Sequence, residues 1–344
     1  MADRRVRWGI LGTARINERL IPAFRESDRS ELRAVASRSQ SKADEYAKQW
    51  QIPLAYESYE ALLADPDINA VYISLPNGFH AEWTVKSADA GKHVLCEKPL
   101  ALSVAEVGQM SEAARRNNVV LQEAAMYRYH PQTRKVQELI DSGAIGDIRM
   151  IQSLFCFTLK NPADVRLDLK VGGGALWDVG SYPVSFARLA MKADPIEVAA
   201  WQITSESGVD MTLMGLMRFA NGALAQFGCS FQSVPTWEMN FVGSAGRINL
   251  DIPWMQRFEP AHVRLYQEMA AGAATFGDSG APLNDTFTFE GRSAYHHEVE
   301  SMVASILDGA PPVISLDDSR GNVATLVALY ASARENRVVK VAFD

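Results

Sequence analysis

Several short stretches of the chain hold residue types whose spacing could do chemistry. The first is Trp8-Gly9-Ile10-Leu11-Gly12-Thr13-Ala14-Arg15-Ile16-Asn17, an apolar run that ends in a turn of small residues and passes into a helical pattern. It follows the G-x-G-x-x-G/A pattern loosely, keeping Gly12 but placing Ala14 and Asn17 where small glycines are usual. A strand before it, a helix after it and a second strand ending at Ser37-Arg38 give it the setting of a dinucleotide unit. There the backbone amides around Gly12, Thr13, Ala14, Arg15 and Ile16 would cradle a pyrophosphate. Read without that setting, the same residues are a plain βα turn. Position 37, where an acidic residue would hold a ribose 2′-hydroxyl, is Ser, and Arg38 follows it. That pair suits a 2′-phosphate, hence NADP over NAD, the alternative being a solvated Arg that opens a helix.

Glu97-Lys98-Pro99 follows the apolar run His93 to Cys96, so Lys98 is expected at the carboxyl edge of a parallel sheet, where ligands of open α/β folds bind. Taken alone, the tripeptide reads as an exposed turn. An X-Pro bond is cis at a cost of only ~0.5–1 kcal/mol, so a cis Lys98-Pro99 peptide is expected to aim the lysine inward. Asp178 and Tyr182 are four residues apart and share one face if their segment is helical after Gly172 to Gly174. His296-His297 with Glu298 and Glu300 has the residue types of a metal site, but adjacent histidines at a helix start are expected to be solvated, and no metal is assigned.

Gly12, Ala36-Ser37-Arg38, Leu75-Pro76-Asn77-Gly78-Phe79-His80, Gly91 through Pro99, Tyr127-Arg128-Tyr129-His130 and Gly172 through Tyr182 together form a more specific pattern than any glycine fingerprint. The chain resembles the glucose-fructose oxidoreductase, inositol dehydrogenase and rhizopine catabolism (Gfo/Idh/MocA) family over nearly its whole length, most clearly from Trp8 to Tyr182. The resemblance implies that Lys98 points at the reacting carbon of the substrate and that Asp178 and Tyr182 complete the catalytic set. Position 182 is His in inositol dehydrogenase-like members and Tyr in those similar to glucose-fructose oxidoreductase, dihydrodiol dehydrogenase and several sugar dehydrogenases and ketoreductases. This chain has Tyr. The resemblance also sets Leu75, Pro76, Asn77, His80 and Glu97 beside the cofactor, and Tyr127, Tyr129, His130, Arg166 and Trp177 are candidate pocket residues, aromatic faces against a sugar ring and polar tips on hydroxyls.

The implied activity is NADP-dependent hydride transfer at a carbinol or carbonyl carbon of a cyclic sugar or sugar-like alcohol. A non-catalytic NADP-binding sensor of the same fold is the alternative, and the joint presence of Lys98, Asp178 and Tyr182 argues against it. A related glycosidase that uses bound NAD transiently is disfavoured by Ser37-Arg38.

The elements that must position these residues follow from length and periodicity. The chain has 344 residues, 47% of them hydrophobic and 22% charged, and a formal charge of -7. That length suggests two domains with a cleft between them, and the charge offers no basic surplus for nucleic acid or an anionic membrane. The apolar run near the start breaks at Thr13 to Arg19, no run is long enough for a membrane span, and Cys96, Cys156 and Cys229 are too few for a disulfide framework. A cytoplasmic protein with a small-molecule ligand is expected.

Strands at Val6 to Leu11, Leu32 to Ser37, Ala70 to Leu75, His93 to Cys96 and Val119 to Gln122 alternate with helical patterns, which predicts a Rossmann domain with a parallel sheet over residues 1–124. Beyond a helix at Pro131 to Ser142, apolar runs from Ile148 to Leu250 and turns such as Asn221-Gly222 predict an α+β domain over 125–344 with a large open, mostly antiparallel sheet for substrate binding and oligomerisation. Two helices, Tyr295 to Asp308 and Leu316 to Asn336, and a last strand, Val338 to Phe343, close the pattern, with a mobile surface loop expected at 272–284. Helices enough for one face of the second sheet leave the other apolar face to a partner, so a homodimer or homotetramer through that sheet is expected.

Overall fold

The computed structural model describes residues 5–254, 260–267 and 283–343. In chain order, β1 (Val6–Leu11), α1 (Asn17–Glu26), β2 (Ser30–Ala36), α2 (Gln40–Trp50), β3 (Leu54–Tyr56), α3 (Tyr59–Leu63), β4 (Ala70–Ile73), α4 (His80–Asp89), β5 (His93–Glu97), α5 (Val104–Arg116) and β6 (Leu121–Ala124) come first. Next are α6 (Pro131–Asp141), β7 (Ile148–Thr158), α7 (Ser181–Met191), β8 (Glu197–Thr204), β9 (Asp210–Arg218), β10 (Leu224–Ser230), β11 (Gln232–Gly243), β12 (Gly246–Leu250), β13 (Ala261–Gln267) and β14 (Leu283–Phe289). Helices α8 (Ala294–Asp308) and α9 (Leu316–Glu335) and strand β15 (Val339–Lys340) end the chain.

The chain divides into two compact units, Met1–Tyr129 with Arg292–Val323, and His130–Gly291 with Ala324–Phe343. This differs from the single cut expected at 124/125. The reason is α8, which is distant in sequence but packs on α1 and β1 of the first unit and buries Val299, Met302 and Val303 there.

In the first unit six parallel strands take the order β3-β2-β1-β4-β5-β6. The order reverses between β1 and β4, which makes the carboxyl ends of these two strands the switch point at which open α/β sheets bind ligands. All four residues of β4 are buried, as a parallel strand covered on both faces requires. Trp8 fixes β1 against its neighbours, its indole N–H donating to Ser30 Oγ at 3.0 Å and its ring lying 4.8 Å from that of Phe24 on α1. β3, absent from the strands expected above, is only three residues long and carries too few side chains to show a period.

The second unit is built on nine strands ordered β14-β13-β12-β11-β7-β10-β9-β8-β15, antiparallel except for the β7–β10 pair. Helix α7 covers this sheet with nearly every residue buried, and its Phe186 packs on Phe241 of β11 at 5.3 Å. β13 and β14 also go beyond the expected strands: β13 buries Ala261, Val263 and Leu265 in alternation, whereas β14 is mostly exposed and polar and carries little apolar signal. Of the loop expected at 272–284, residues 272–282 lie outside the described residues, while Leu283 and Asn284 open β14.

Candidate active site

The turn after β1 shows why Gly12 is a glycine. Its φ is +101°, and a Cβ there would lie 2.9 Å from Leu75 Cδ2. Asn17, which departs from the glycine pattern, is fully buried and donates from Nδ2 to Gly12 O at 3.0 Å, so the side chain at this position ties the turn to the start of α1. Thr13 and Ala14 line a cavity of about 500 Å³ together with Ser74, Leu75 and Pro76 at the end of β4. Its other end is formed by Ser37, Arg38, Ser39, Lys42 and Tyr59.

Ser37, Arg38, Gly12, Thr13, Ala14, Leu75 and Pro76 are thus brought together as expected from sequence, whereas Arg15, Ile16 and Asn77 are not among the lining residues. Lys42, Ser39, Tyr59 and Ser74 are additions. Lys42 lies in the first turn of α2 and so returns to the side of Arg38, a signal legible in the spacing; Tyr59 comes from α3 and had none. No acidic residue lines the cavity among the described residues. Two cations and serine hydroxyls at one end and a glycine turn at a helix start at the other fit a dinucleotide that carries an extra phosphate on its ribose.

The carboxyl edge of the same sheet presents Glu97-Lys98-Pro99. The Lys98–Pro99 peptide is cis. Glu97 accepts the Tyr72 hydroxyl on Oε1 at 2.6 Å and the Lys98 N–H on Oε2 at 3.3 Å. Tyr72 is fully buried, and burial followed by the neighbouring Glu97 charge pushes its hydroxyl well above the ordinary phenol value, so it stays a donor.

His80, expected beside the cofactor, has both ring nitrogens engaged within the fold. It is 0% exposed, with Nδ1 2.9 Å from Pro99 O and Nε2 2.8 Å from Leu75 O. It therefore staples the loop after β4 to the loop after β5. Burial lowers its pKa, against the two carbonyls, which raise it.

In the second unit the Gly172-Gly173-Gly174 run leads into a π-helical turn, Leu176–Gly180, that continues as α7. Such wide turns recur at functional sites because they re-aim side chains without ending the helix. Asp178 meets Arg166 Nε at 2.7 Å, and Arg166 also lies 3.4 Å from Asp164, so that the two carboxylates, Asp178 first, hold the guanidinium firmly charged. Tyr182 packs edge-on to Phe155 at 5.2 Å and lies 5.9 Å from Trp254. Its ring is thereby held in one plane by an aromatic wall.

Three of the candidate pocket residues take structural places. Tyr127 and Tyr129 are fully buried, and Tyr129 donates its hydroxyl to Glu123 O at 2.8 Å. His130 caps α6 by accepting the Gln132 N–H on Nδ1 at 3.2 Å. Trp177 is largely buried, its ring 5.3 Å from that of Tyr330 on α9, and only Arg166 retains substantial exposure. The solvated His296-His297 start expected for α8 is also corrected: His296 is buried, and Glu298 is fully buried, its carboxyl pushed well above the usual range by burial and then by the Glu97 charge. The cause is the packing of α8 on α1 within the first unit.

Comparison with known proteins agrees with this geometry. Residues 6–125 match the family model described as the oxidoreductase family with an NAD-binding Rossmann fold, and residues 133–249 match the GFO/IDH/MocA C-terminal domain. The chain is 36% identical over 336 residues to a D-xylose 1-dehydrogenase (NADP(+)) of Haloferax volcanii, covering 97% of this chain and 99% of that one. A trans-1,2-dihydrobenzene-1,2-diol dehydrogenase of Danio rerio is 33% identical over 249 residues, 71% of this chain and 74% of the relative. Among solved structures, a 3-ketoreductase from Actinomadura kijaniata in complex with NADP and TDP-benzene superposes with a TM-score of 0.86 at 29% identity, covering 95% of this chain and 98% of that one. Matched along both of its units, and with the Gly12 turn and the Glu97-Lys98-Pro99 edge in place, the chain is a member of the Gfo/Idh/MocA family of oxidoreductases.

Proposed function

We propose that the protein is an NADP-dependent dehydrogenase or reductase acting on a carbinol or carbonyl carbon of a cyclic sugar or sugar-like alcohol. The observation that carries this reading is the cavity lining of Ser37, Arg38 and Lys42 with no acidic residue among the described lining residues, which suits a 2′-phosphate and disfavours a bare 2′-hydroxyl. The similarity to D-xylose 1-dehydrogenase and dihydrodiol dehydrogenase supports a polyhydroxylated ring as the substrate class.

NADP held by Gly12, Thr13, Ala14, Ser37, Arg38 and Lys42 would supply the hydride chemistry at the substrate carbon. The protein supplies position and the proton path. A carbinol carbon that gives up hydride must also lose its hydroxyl proton, and Tyr182 is the proposed acceptor of that proton. Lys98 is the proposed donor to the substrate oxygen, Tyr182 takes the proton as its phenolate, and Asp178, anchored by Arg166, orients the substrate hydroxyl. A screen of pentoses, pyranoses, inositols and dihydrodiols for NADPH formation tests the reading. Tight NADP binding with no turnover of any alcohol or carbonyl compound would instead favour the sensor.

The assembly belongs to the same proposal. One face of the nine-stranded sheet exposes Trp201 (61% exposed), Ile203, Met214, Leu216, Leu224 and Met150, with Trp201 directly opposite Met214 and Leu224 opposite Met150. A face this rich in exposed apolar side chains, with Gln152 and Gln226 among them, suits a second copy of the same sheet across a two-fold axis. Light scattering is expected to give twice the 37.9 kDa chain mass or more; a 37.9 kDa particle at micromolar concentration would refute it. The three cysteines are free and buried, which suits a reducing compartment, and the cytoplasm is the proposed location.

A further inference from the structure

The proposed chemistry needs Asp178 and Tyr182 to hold one orientation, yet the segment that carries them starts without a cap of its own. Ala175 precedes the π-helical turn and makes no side-chain capping bond, and Gly172, Gly173 and Gly174 have no side chains to offer. The first N–H groups of a helix require an acceptor when buried. That acceptor comes from another element.

Asp210, the first residue of β9, is buried and accepts the Leu176 N–H on Oδ2 at 2.8 Å. Its other oxygen accepts the Tyr330 hydroxyl at 2.7 Å. Burial raises the Asp210 carboxyl to about 6, opposed by Tyr330 and by backbone donors that include Leu176 and Ala175. A carboxylate in this place also meets the positive end of the helical segment. The fit explains one residue of the glycine run: a Cβ on Gly174 would collide with Asp210 Oδ1 and lie 2.5 Å from Tyr330 Oη, at a φ of +138°. Tyr330 is itself fixed, its ring packed on Trp177, the residue between Leu176 and Asp178.

We infer that Asp210, held by the Tyr330 hydroxyl, is a positioning residue that fixes the start of the Leu176–Tyr182 segment and so sets the direction of Asp178 and Tyr182. This rests on the function proposed above. It assigns work to two residues that touch neither substrate nor cofactor, and that reach the reacting groups only through the backbone at Leu176 and the ring of Trp177.

The test uses Asp210→Ala, Asp210→Asn and Tyr330→Phe in the full chain, with Lys98→Met and Tyr182→Phe beside them on one confirmed substrate. Asp210→Ala is expected to lower kcat about tenfold or more, since small displacements of reacting groups cost rate steeply, with the KM for NADP unchanged because the dinucleotide cavity is lined by first-unit residues. Asp210→Asn keeps an acceptor for the Leu176 N–H and is expected to recover most of that loss. Tyr330→Phe removes one hydroxyl and is expected to lower kcat by a smaller factor, so it remains decisive should Asp210→Ala fail to fold. Normal kcat in Tyr330→Phe and in folded Asp210→Ala, or Asp210→Asn no better than Asp210→Ala, would overturn the inference. If Lys98→Met and Tyr182→Phe themselves kept normal turnover, the proposed reaction would be wrong, an outcome distinct from loss in those two with Asp210 and Tyr330 variants unaffected.

Discussion

Each unit holds its candidate reacting residues with a buried polar clamp, and the two clamps are chemical opposites. In the first, two loops at the carboxyl edge of a parallel sheet end in carbonyl oxygens, Leu75 O and Pro99 O, and His80 stands between them. In the second, a helical segment begins with N–H groups, and Asp210 takes one of them while Tyr330 donates to its second oxygen. The backbone dictates the clamp. Strand ends that leave acceptors need a donor side chain, and helix starts that leave donors need an acceptor. The satisfaction is also unequal. A neutral imidazole has one N–H for two carbonyls, whereas the Asp210 carboxylate has room for both of its donors.

If the clamps serve Lys98 in the first unit and Tyr182 in the second, removing these two side chains has the largest effect. Tyr182→Phe is expected to lower kcat by ~100-fold to 10,000-fold, the usual worth of a general acid or base, with NADP affinity nearly unchanged, and Lys98→Met to be at least as damaging. Steady-state kinetics with a separate NADP titration would measure both, and retention of near-normal turnover in either would remove the reason for a clamp.

Deleting a clamp should cost stability as well. His80→Ala leaves the Leu75 and Pro99 carbonyls buried without a partner, and a loss of ~2–3 kcal/mol in urea unfolding is expected. A cost below ~0.5 kcal/mol would show that solvent replaces the ring freely.

Cofactor selection lies outside both clamps and sharpens the contrast. Arg38→Ala, or Lys42→Ala, should weaken NADP by roughly tenfold to a hundredfold, about 1.5–3 kcal/mol, and leave NAD affinity nearly constant. Equal affinity for NAD and NADP in the unmutated protein would contradict the assignment of this cavity end.

The smallest effect separates the clamps by sign. His80 has a lowered pKa in the folded protein, so its contribution to stability is complete above the unfolded value of 6.5 and is lost as pH falls through the lowered folded value. Asp210 is raised from 3.8 to about 6, so its contribution is complete below 3.8 and is lost as pH rises to about 6. In unfolding measured between about pH 4 and pH 8, the stability gap between the unmutated protein and His80→Gln should widen as pH rises. The gap to Asp210→Asn should narrow over the acid part of the range. Slopes of the same sign would mean that one of the two groups is not buried as described.

Much of the first unit is legible because its signals are local. The apolar run Val6–Leu11, the Gly12 turn, the helix after it and Ser37-Arg38 lie within one βαβ stretch, and Lys98 follows its strand directly. Even His80, expected beside the cofactor and found between two loop carbonyls, is within the motif, with one partner five residues back. Local signals say less where a polar or aromatic residue type fits two fates. Tyr129 and His130 have the chemistry of pocket residues, and nothing in their spacing says that a buried carbonyl and a helix N-terminus claim them first.

The family, the alternation of the first sheet and the antiparallel character of the second were legible in the sequence alone, and Lys98, Asp178 and Tyr182 were offered by it as the proposed reacting residues, because each of these rests on periodicity or on a motif read within a short stretch. Tertiary structure decided that α8 belongs with the first unit, that the segment bearing Asp178 starts as a π-helical turn, and that Asp210 and Tyr330 meet at its start. Leu176 is 34 residues from Asp210, and Asp210 is 120 from Tyr330. Over such distances no sequence period survives, and only the folding of β9 and α9 onto the same helical segment brings an acceptor to its unsatisfied amides and a donor to that acceptor.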